Sequence, residues 1–346
     1  MRRSITWAVV TVVLAMGPAA YGAVQVKYDL DSSSIVGANP LPGTPEYTWW
    51  YGCSPTAGGM MVGYWDGKPG YENLFEGDAS YWWGNASPPI TGTRSMVAGT
   101  AHIVAGIENG AYGDWHNSPS YPAHESNPDS LADFMRTVDG GTESPWIAKG
   151  LEDYVEWDNP ATATNESGPG PGLYFDALVE LRDIAFYGGS FDYNDFKAEI
   201  DADRPVLLTV TTNFYGYSLL HNVVGYGYKD NMFTLSWPDG TSPPPVVTVG
   251  GIAVMDTWDN GTAGSEWVGP YPGYATIYPS IDSDGVEWWP FLEFREWSFF
   301  EYSDWMVYQG ITMDIAIVPE PASIVVWSLL GALGVLAGWH RRRRAA

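Results

Sequence analysis

One cysteine stands in this chain of 346 residues, at Cys53. It lies in the stretch Trp49-Trp50-Tyr51-Gly52-Cys53-Ser54-Pro55-Thr56-Ala57-Gly58-Gly59. Pro55 suits the first turn of a helix, where its missing N–H would be unpaired anyway. A thiol at that point faces the positive end of the helix dipole, which favours the thiolate. A thiolate attacks carbonyl carbon, and for this it needs a base to share its proton and an acceptor to orient that base. Among five histidines, His221 is the best framed, because it opens the apolar strand Leu219-Leu220-His221-Asn222-Val223-Val224-Gly225. His102, His116 and His124 sit in helix or loop contexts without such framing, and His340 lies in a basic tail. Asp256, in Met255-Asp256-Thr257-Trp258, ends a later strand and suits the orienting acceptor, with Asp259 and Asn260 as fallbacks. Each residue alone has a plainer role: a buried thiol as a small apolar group, a core histidine, an aspartate capping a turn. The chain order of the three argues that they form a set.

The elements that must position these residues follow from pattern. A helix is expected from Ser54 to Trp65, ended by Asp66-Gly67-Lys68-Pro69-Gly70. Small residues at 56–59 would let it pack closely. Further helices are expected over 95–109, 129–138, 149–155, 173–185 and 192–200. The run Pro205-Val206-Leu207-Leu208-Thr209-Val210 reads as a strand covered on both faces. Strands follow over 218–228, 232–237 and 246–254. Helices first and strands later predict an α+β fold.

The stretches around Cys53, His221 and Asp256, in that order, resemble papain-like cysteine peptidases, in particular the C39-like peptidase domain, over roughly residues 45 to 265. The resemblance implies a helical part carrying Cys53 packed on an antiparallel sheet carrying His221 and Asp256. It implies hydrolysis of a peptide or amide substrate, with no cofactor. Those peptidases usually place a Gln about six residues before the cysteine to help hold the oxyanion; here that residue is Tyr47. The chain's two glutamines, Gln25 and Gln309, are not placed for the role. Tyr47 is therefore the candidate oxyanion donor, with Trp49, Trp50 and Tyr51 as substitutes.

The ends of the chain carry their own signals. Arg2 and Arg3, the apolar run Ile5 to Met16 and small residues near 20–23 read as a signal peptide over 1–23. Near the other end, Pro319-Glu320-Pro321 precedes an apolar run at 322–339 and then Arg341 to Arg344. That run is long enough to cross a bilayer as a helix. Motif, span and basic tail together resemble the PEP-CTERM sorting signal of Gram-negative bacteria. The resemblance implies recognition by an exosortase-type enzyme, transient anchoring in the inner membrane, removal of the tail, and delivery to the cell surface or beyond. Between the ends lie one domain over 24–265 and a β-rich extension of it over 266–317.

The formal charge is −25. Six of the sixteen bases fall in the two end segments, so the stretch between them is more acidic still. Such a surface repels phosphate backbones and argues against nucleic acid as a partner. No His/Cys cluster has zinc spacing, and Asp282-Ser283-Asp284-Gly285 lacks the later ligands of a calcium loop, so no metal site is expected. An alternative reading is an inactive scaffold that binds extracellular polysaccharide through aromatic clusters such as Tyr81-Trp82-Trp83 and Trp288-Trp289. Transglutaminase-like acyl transfer, which also uses Cys, His and Asp, ranks third.

Overall fold

The computed structural model describes residues 41–75, 77–100, 102, 130–137, 140–156, 173–184, 189–214, 217–236, 246–257, 280–281, 286–291, 306–319, 328–333 and 335, and the backbone of 25–28. The described elements run β1 (Gln25–Tyr28), α1 (Cys53–Asp66), α2 (Thr93–Val97), α3 (Leu131–Phe134), α4 (Ser144–Val155) and β2 (Leu173–Asp183). They continue with α5 (Tyr193–Asp201), β3 (Val206–Phe214), β4 (Tyr217–Ser236), β5 (Val246–Met255), β6 (Ser280–Ile281), β7 (Glu287–Pro290) and β8 (Met306–Pro319). The strands form one sheet in the order β2-β8-β3-β4-β5-β7-β6, with β1 paired to β4. Every strand pair in it is antiparallel. The fold is thus mixed helix and antiparallel sheet.

The sheet is built around β3. Val206, Leu207, Leu208, Thr209 and Val210 are all buried, as a strand covered on both faces requires. On one side it pairs with β4, and on the other with β8. β8 comes from far along the chain, so the segment after 265 supplies a central strand as well as an outer one, β7. The long β4 joins the two strands expected at 218–228 and 232–237. Its register with β5 shifts between Lys229 and Phe233, where Asn231 takes a left-handed backbone with φ of 54°. Gly225 lets α5 come close: a Cβ there would meet the Phe196 ring at 2.6 Å. α5 is held at its start by a reciprocal cap, with the Asp192 carboxylate accepting from the Asn194 and Asp195 N–H groups and Asp195 accepting from the Asp192 N–H.

The segment expected to be a helix over 173–185 is strand β2. Its apolar residues fit both periods, but Phe175 and Ala177 are buried while Asp176, Leu178 and Glu180 are exposed. That alternation is what a strand with one covered face needs, and β8 offers a partner for all eleven residues. The strand also breaks the expected order of helices first and strands later. The other helices differ in length. α4 starts earlier than expected, with Pro145 in its first turn. α2 ends at Val97, within the run expected at 95–109; Thr100 and His102 are helical again, and 101 and 103–109 lie outside the described residues. α3 covers the middle of the run at 129–138, whose two end residues also lie outside them.

α1 packs on β4 and β3, with α2, α3 and α4 around it. It is buried on every side from Ser54 to Asp66, so its amphipathic pattern is weak and its small residues matter more. Residues 328–333 are helical, and Leu329, Leu330, Leu333 and Val335 are all more than half exposed. Among the described residues no helix is long and apolar enough to cross a membrane. The stretches 1–23, 157–172, 258–279 and 320–327, and His116, His124 and Asp282 to Gly285, lie outside the described residues.

Candidate active site

Cys53 is the first residue of α1 and is partly exposed. Two backbone conformations set it there. Tyr51 has φ of 59° and Gly52 has φ of 144° with ψ of 147°. The second lies in a region that essentially only glycine enters, so Gly52 is what lets the chain turn into the helix. Thr56 locks this turn. Its hydroxyl accepts from the Trp50 N–H at 3.0 Å and donates to the Gly52 carbonyl at 2.7 Å. No side chain caps α1, which leaves the first-turn amides for an incoming oxygen.

The strand side of the site comes from β4. His221 is fully buried, and its Nε2 lies 2.8 Å from Asp256 Oδ1. Thr257 Oγ1 lies 3.4 Å from the same nitrogen. Asp256 follows the last residue of β5, next to β4 in the sheet, so the register Val224↔Met255 delivers it. With Nε2 committed to Asp256, Nδ1 is the nitrogen left for the interaction of His221 with the Cys53 thiol. The three residues singled out in the sequence, Cys53, His221 and Asp256, therefore meet in one place.

A fourth residue joins them that sequence reasoning passed over. Asn222 Nδ2 lies 3.6 Å from Cys53 Sγ and donates to Ser54 Oγ at 2.8 Å. Its Oδ1 accepts from Thr209 Oγ1 at 2.8 Å, from the paired position on β3. The signal was present: His221 and Asn222 are two successive polar residues in an apolar strand. Both faces of that strand are buried, so both side chains must find partners.

The electrostatics favour an ion pair. Burial raises the pKa of the Cys53 thiol. The hydrogen bond and charge of His221, with backbone and side-chain donors of Asn222, outweigh that and hold it below its ordinary value. Burial alone would lower the pKa of His221. Asp256 first and Cys53 second reverse this and push it up to about 9. The lowered thiol and the raised imidazole both favour thiolate with imidazolium.

Tyr47 does not take the place foreseen for it. It is fully buried, donates its hydroxyl to the Ala79 carbonyl at 2.5 Å, and packs against Gly59 and Gly63. Gly63 is ten residues along α1 from Cys53, about 15 Å at the helical rise. The tyrosine wedges the far part of the helix against the loop at 79 and contributes nothing to an oxyanion. Trp50 Nε1 donates to the Ala98 carbonyl at 3.3 Å, which commits it elsewhere too. Trp288 and Trp289, sugar platforms in the alternative reading, are 2% and 8% exposed; they lie in β7 and fill the core. Of the other cluster Tyr81 is 53% exposed, but Trp82 packs on Tyr47 and Trp83 Nε1 donates to the Asp78 carbonyl.

His102 has better framing than its sequence context promised. Its Nδ1 lies 3.0 Å from Asp133 Oδ1, both side chains are buried, and Ser130 Oγ donates to Asp133 Oδ2 at 2.7 Å. The imidazole meets the Tyr51 ring edge-on, with centroids 4.4 Å apart. This pair braces the turn that presents Cys53. Among the described residues no three His, Cys, Asp or Glu gather to hold a metal. No known family model matches the chain, and no curated protein matches it.

Proposed function

We propose that the protein is a cysteine hydrolase of papain-like design acting on a peptide or amide bond. Cys53 Sγ attacks the carbonyl carbon. The His221 imidazolium then gives its proton to the leaving nitrogen and later takes one from water. Asp256 holds the ring in the orientation this needs. The Cys53 N–H and the Asn222 side-chain amide are the donors closest to where the oxyanion forms, in the role expected of Tyr47. The observation that carries the reading is the buried His221–Asp256 pair, 2.8 Å apart, brought together with Cys53 at the uncapped start of a buried helix, where His221 lowers the pKa of the thiol. The signal peptide at 1–23 and the Pro319-Glu320-Pro321 tail support export, exosortase-type processing and a site of action at the cell surface or beyond.

The test is the alkylation rate of Cys53 by iodoacetamide from about pH 4 to 9, in the native protein and in His221→Ala. The reading expects fast labelling well below the ordinary thiol pKa of about 8.5, slowed at low pH by the substitution. Labelling that rises only above pH 8, and is the same in both proteins, would refute the ion pair and favour the polysaccharide-binding scaffold.

A further inference from the structure

The segment that presents Cys53 also carries a cation in an unusual setting. The Arg94 guanidinium lies over two indoles, 4.9 Å from the Trp50 ring and 4.7 Å from the Trp82 ring. Trp50 is itself clasped to the first turn of α1 through Thr56, so Arg94 is one side chain removed from the Cys53 turn. Stacking occupies the faces of a guanidinium and leaves its edge, where all five N–H groups point. No carboxylate among the described residues pairs with that edge, and the buried Arg94 Nε has no hydrogen-bond partner. Trp82 Nε1, in the same stack, is buried and unmatched as well. Five other described cations find acids: Lys68 with Asp203, Lys149 with Asp153, Arg182 with Asp195, Lys197 with Asp230 and Arg204 with Glu199, while Arg136 lies over the Trp146 ring and Lys229 is buried. Arg94, with no acid partner among the described residues, a buried Nε unmatched and part of its surface exposed, suits an anionic oxygen ligand.

We propose that Arg94, held between Trp50 and Trp82, is a subsite for a carboxylate of the substrate, so that the Cys53 hydrolase selects acidic peptides. The inference rests on the proposed thiolate. A carboxylate accepts two parallel N–H bonds from a guanidinium edge, and a site with such donors discriminates strongly against a ligand that leaves them empty. The remainder of the surface is acidic and repels an anionic peptide, so attraction has to be local. The carboxylate belongs either to an acidic side chain or to a peptide C-terminus.

Three alkylating probes separate these sources: N-iodoacetyl-glutamic acid α-amide, N-iodoacetyl-glutamine with its free α-carboxylate, and neutral N-iodoacetyl-glutamine α-amide. In each, Cys53 Sγ forms a bond to the CH₂ carbon as the C–I bond breaks and iodide leaves. At pH 6 one acidic probe should label Cys53 about tenfold faster than the neutral one, a discrimination within reach of one charged pair. In Arg94→Gln the ratio should fall to about one, while the neutral probe keeps its rate. The His221 imidazolium also attracts anions, so the loss of the ratio on substitution is the deciding result. If the neutral rate falls too, the stack has collapsed, and Arg94→Met, which keeps an apolar stem between the indoles, must show the same lost ratio with the neutral rate intact. Equal rates for all three probes in the native protein, or an advantage that survives both substitutions, would overturn the subsite and leave the thiolate standing. Slow labelling by all three below pH 8 would bring down the thiolate and the subsite together.

Discussion

Asn222 ties three polar groups together, the Cys53 sulfur, the Ser54 hydroxyl and the Thr209 hydroxyl. Replacing it with Ala should raise the thiol pKa, since its donors help lower it. Turnover should fall by about 10²–10³, the usual cost of a lost oxyanion donor. Unfolding should become easier by about 1–3 kcal/mol, because Thr209 and Ser54 are left unmatched in a buried place. Urea melts and the pH profile of labelling read the effects separately, and an unchanged profile would remove Asn222 from the site. Asp256→Asn is expected to act through the histidine. His221 is held up to about 9, with Asp256 the largest upward influence, so the alkaline limb of activity should move down toward neutrality. The linked stability has a definite sign. A histidine raised on folding stabilises fully below about 6.5 and loses that contribution as pH rises through about 9, and Asp256→Asn should flatten that fall. At this scale the gathering of Cys53, His221 and Asp256 was legible because their residue types are scarce and ordered. Asn222 was not, because the family spacing points to Tyr47, while Asn222 is marked only by its place beside the histidine in an apolar strand.

At the scale of elements, α1 ends on another buried carboxylate. Asp66 accepts from the Phe75 N–H at 3.1 Å and the Ala79 N–H at 3.4 Å, and so fastens the loop that carries Tyr81 to Trp83. Burial pushes its pKa up to about 7, against the pull of those two amides. Between about pH 4 and 7 the folded protein therefore holds a proton there that the unfolded chain releases. Stability must fall as pH rises across that window. Asp66→Asn should remove this slope, worth on the order of a few kcal/mol, and comparing urea midpoints of the two proteins at pH 4.5 and 7.5 checks it. Some elements could be read from local pattern and others only from their partners. β3 declared itself by an apolar run too short for a helix. α5 did so by Asp192 and Asp195 around its start. Leu173 to Asp183 carries apolar residues at spacings that serve either structure, and the choice was made by β8, more than a hundred residues away. Trp288 and Trp289 were decided the same way, since adjacent tryptophans fit a surface platform or a core until a sheet neighbour covers them.

For the whole molecule, β8 decides what can be removed. Its pairing extends along β2 and also along β3, and Val307, Ile311, Met313 and Ile315 are buried. A chain ended after Pro319 should keep the native melting temperature and the reactivity of Cys53. One ended before Met306 should lose cooperative unfolding and low-pH labelling together, as circular dichroism and alkylation would show. Equal stability of the two truncations would contradict the strand order.

The position of β8 also sets a timetable. β2 and β3 are consecutive strands along the chain but are kept apart in the sheet by a strand made after every other strand described. Until it arrives, β3 has one open edge of unpaired amides and carbonyls, and β2 has nothing to pair with. Closing contacts between such distant parts of a chain is slow, and the exposed edge meanwhile invites association with other chains. The early half of the molecule thus waits, with its cysteine already built, for the late strand that completes the floor beneath it. Any chaperone or export machinery handling this chain would have to shield it over that interval.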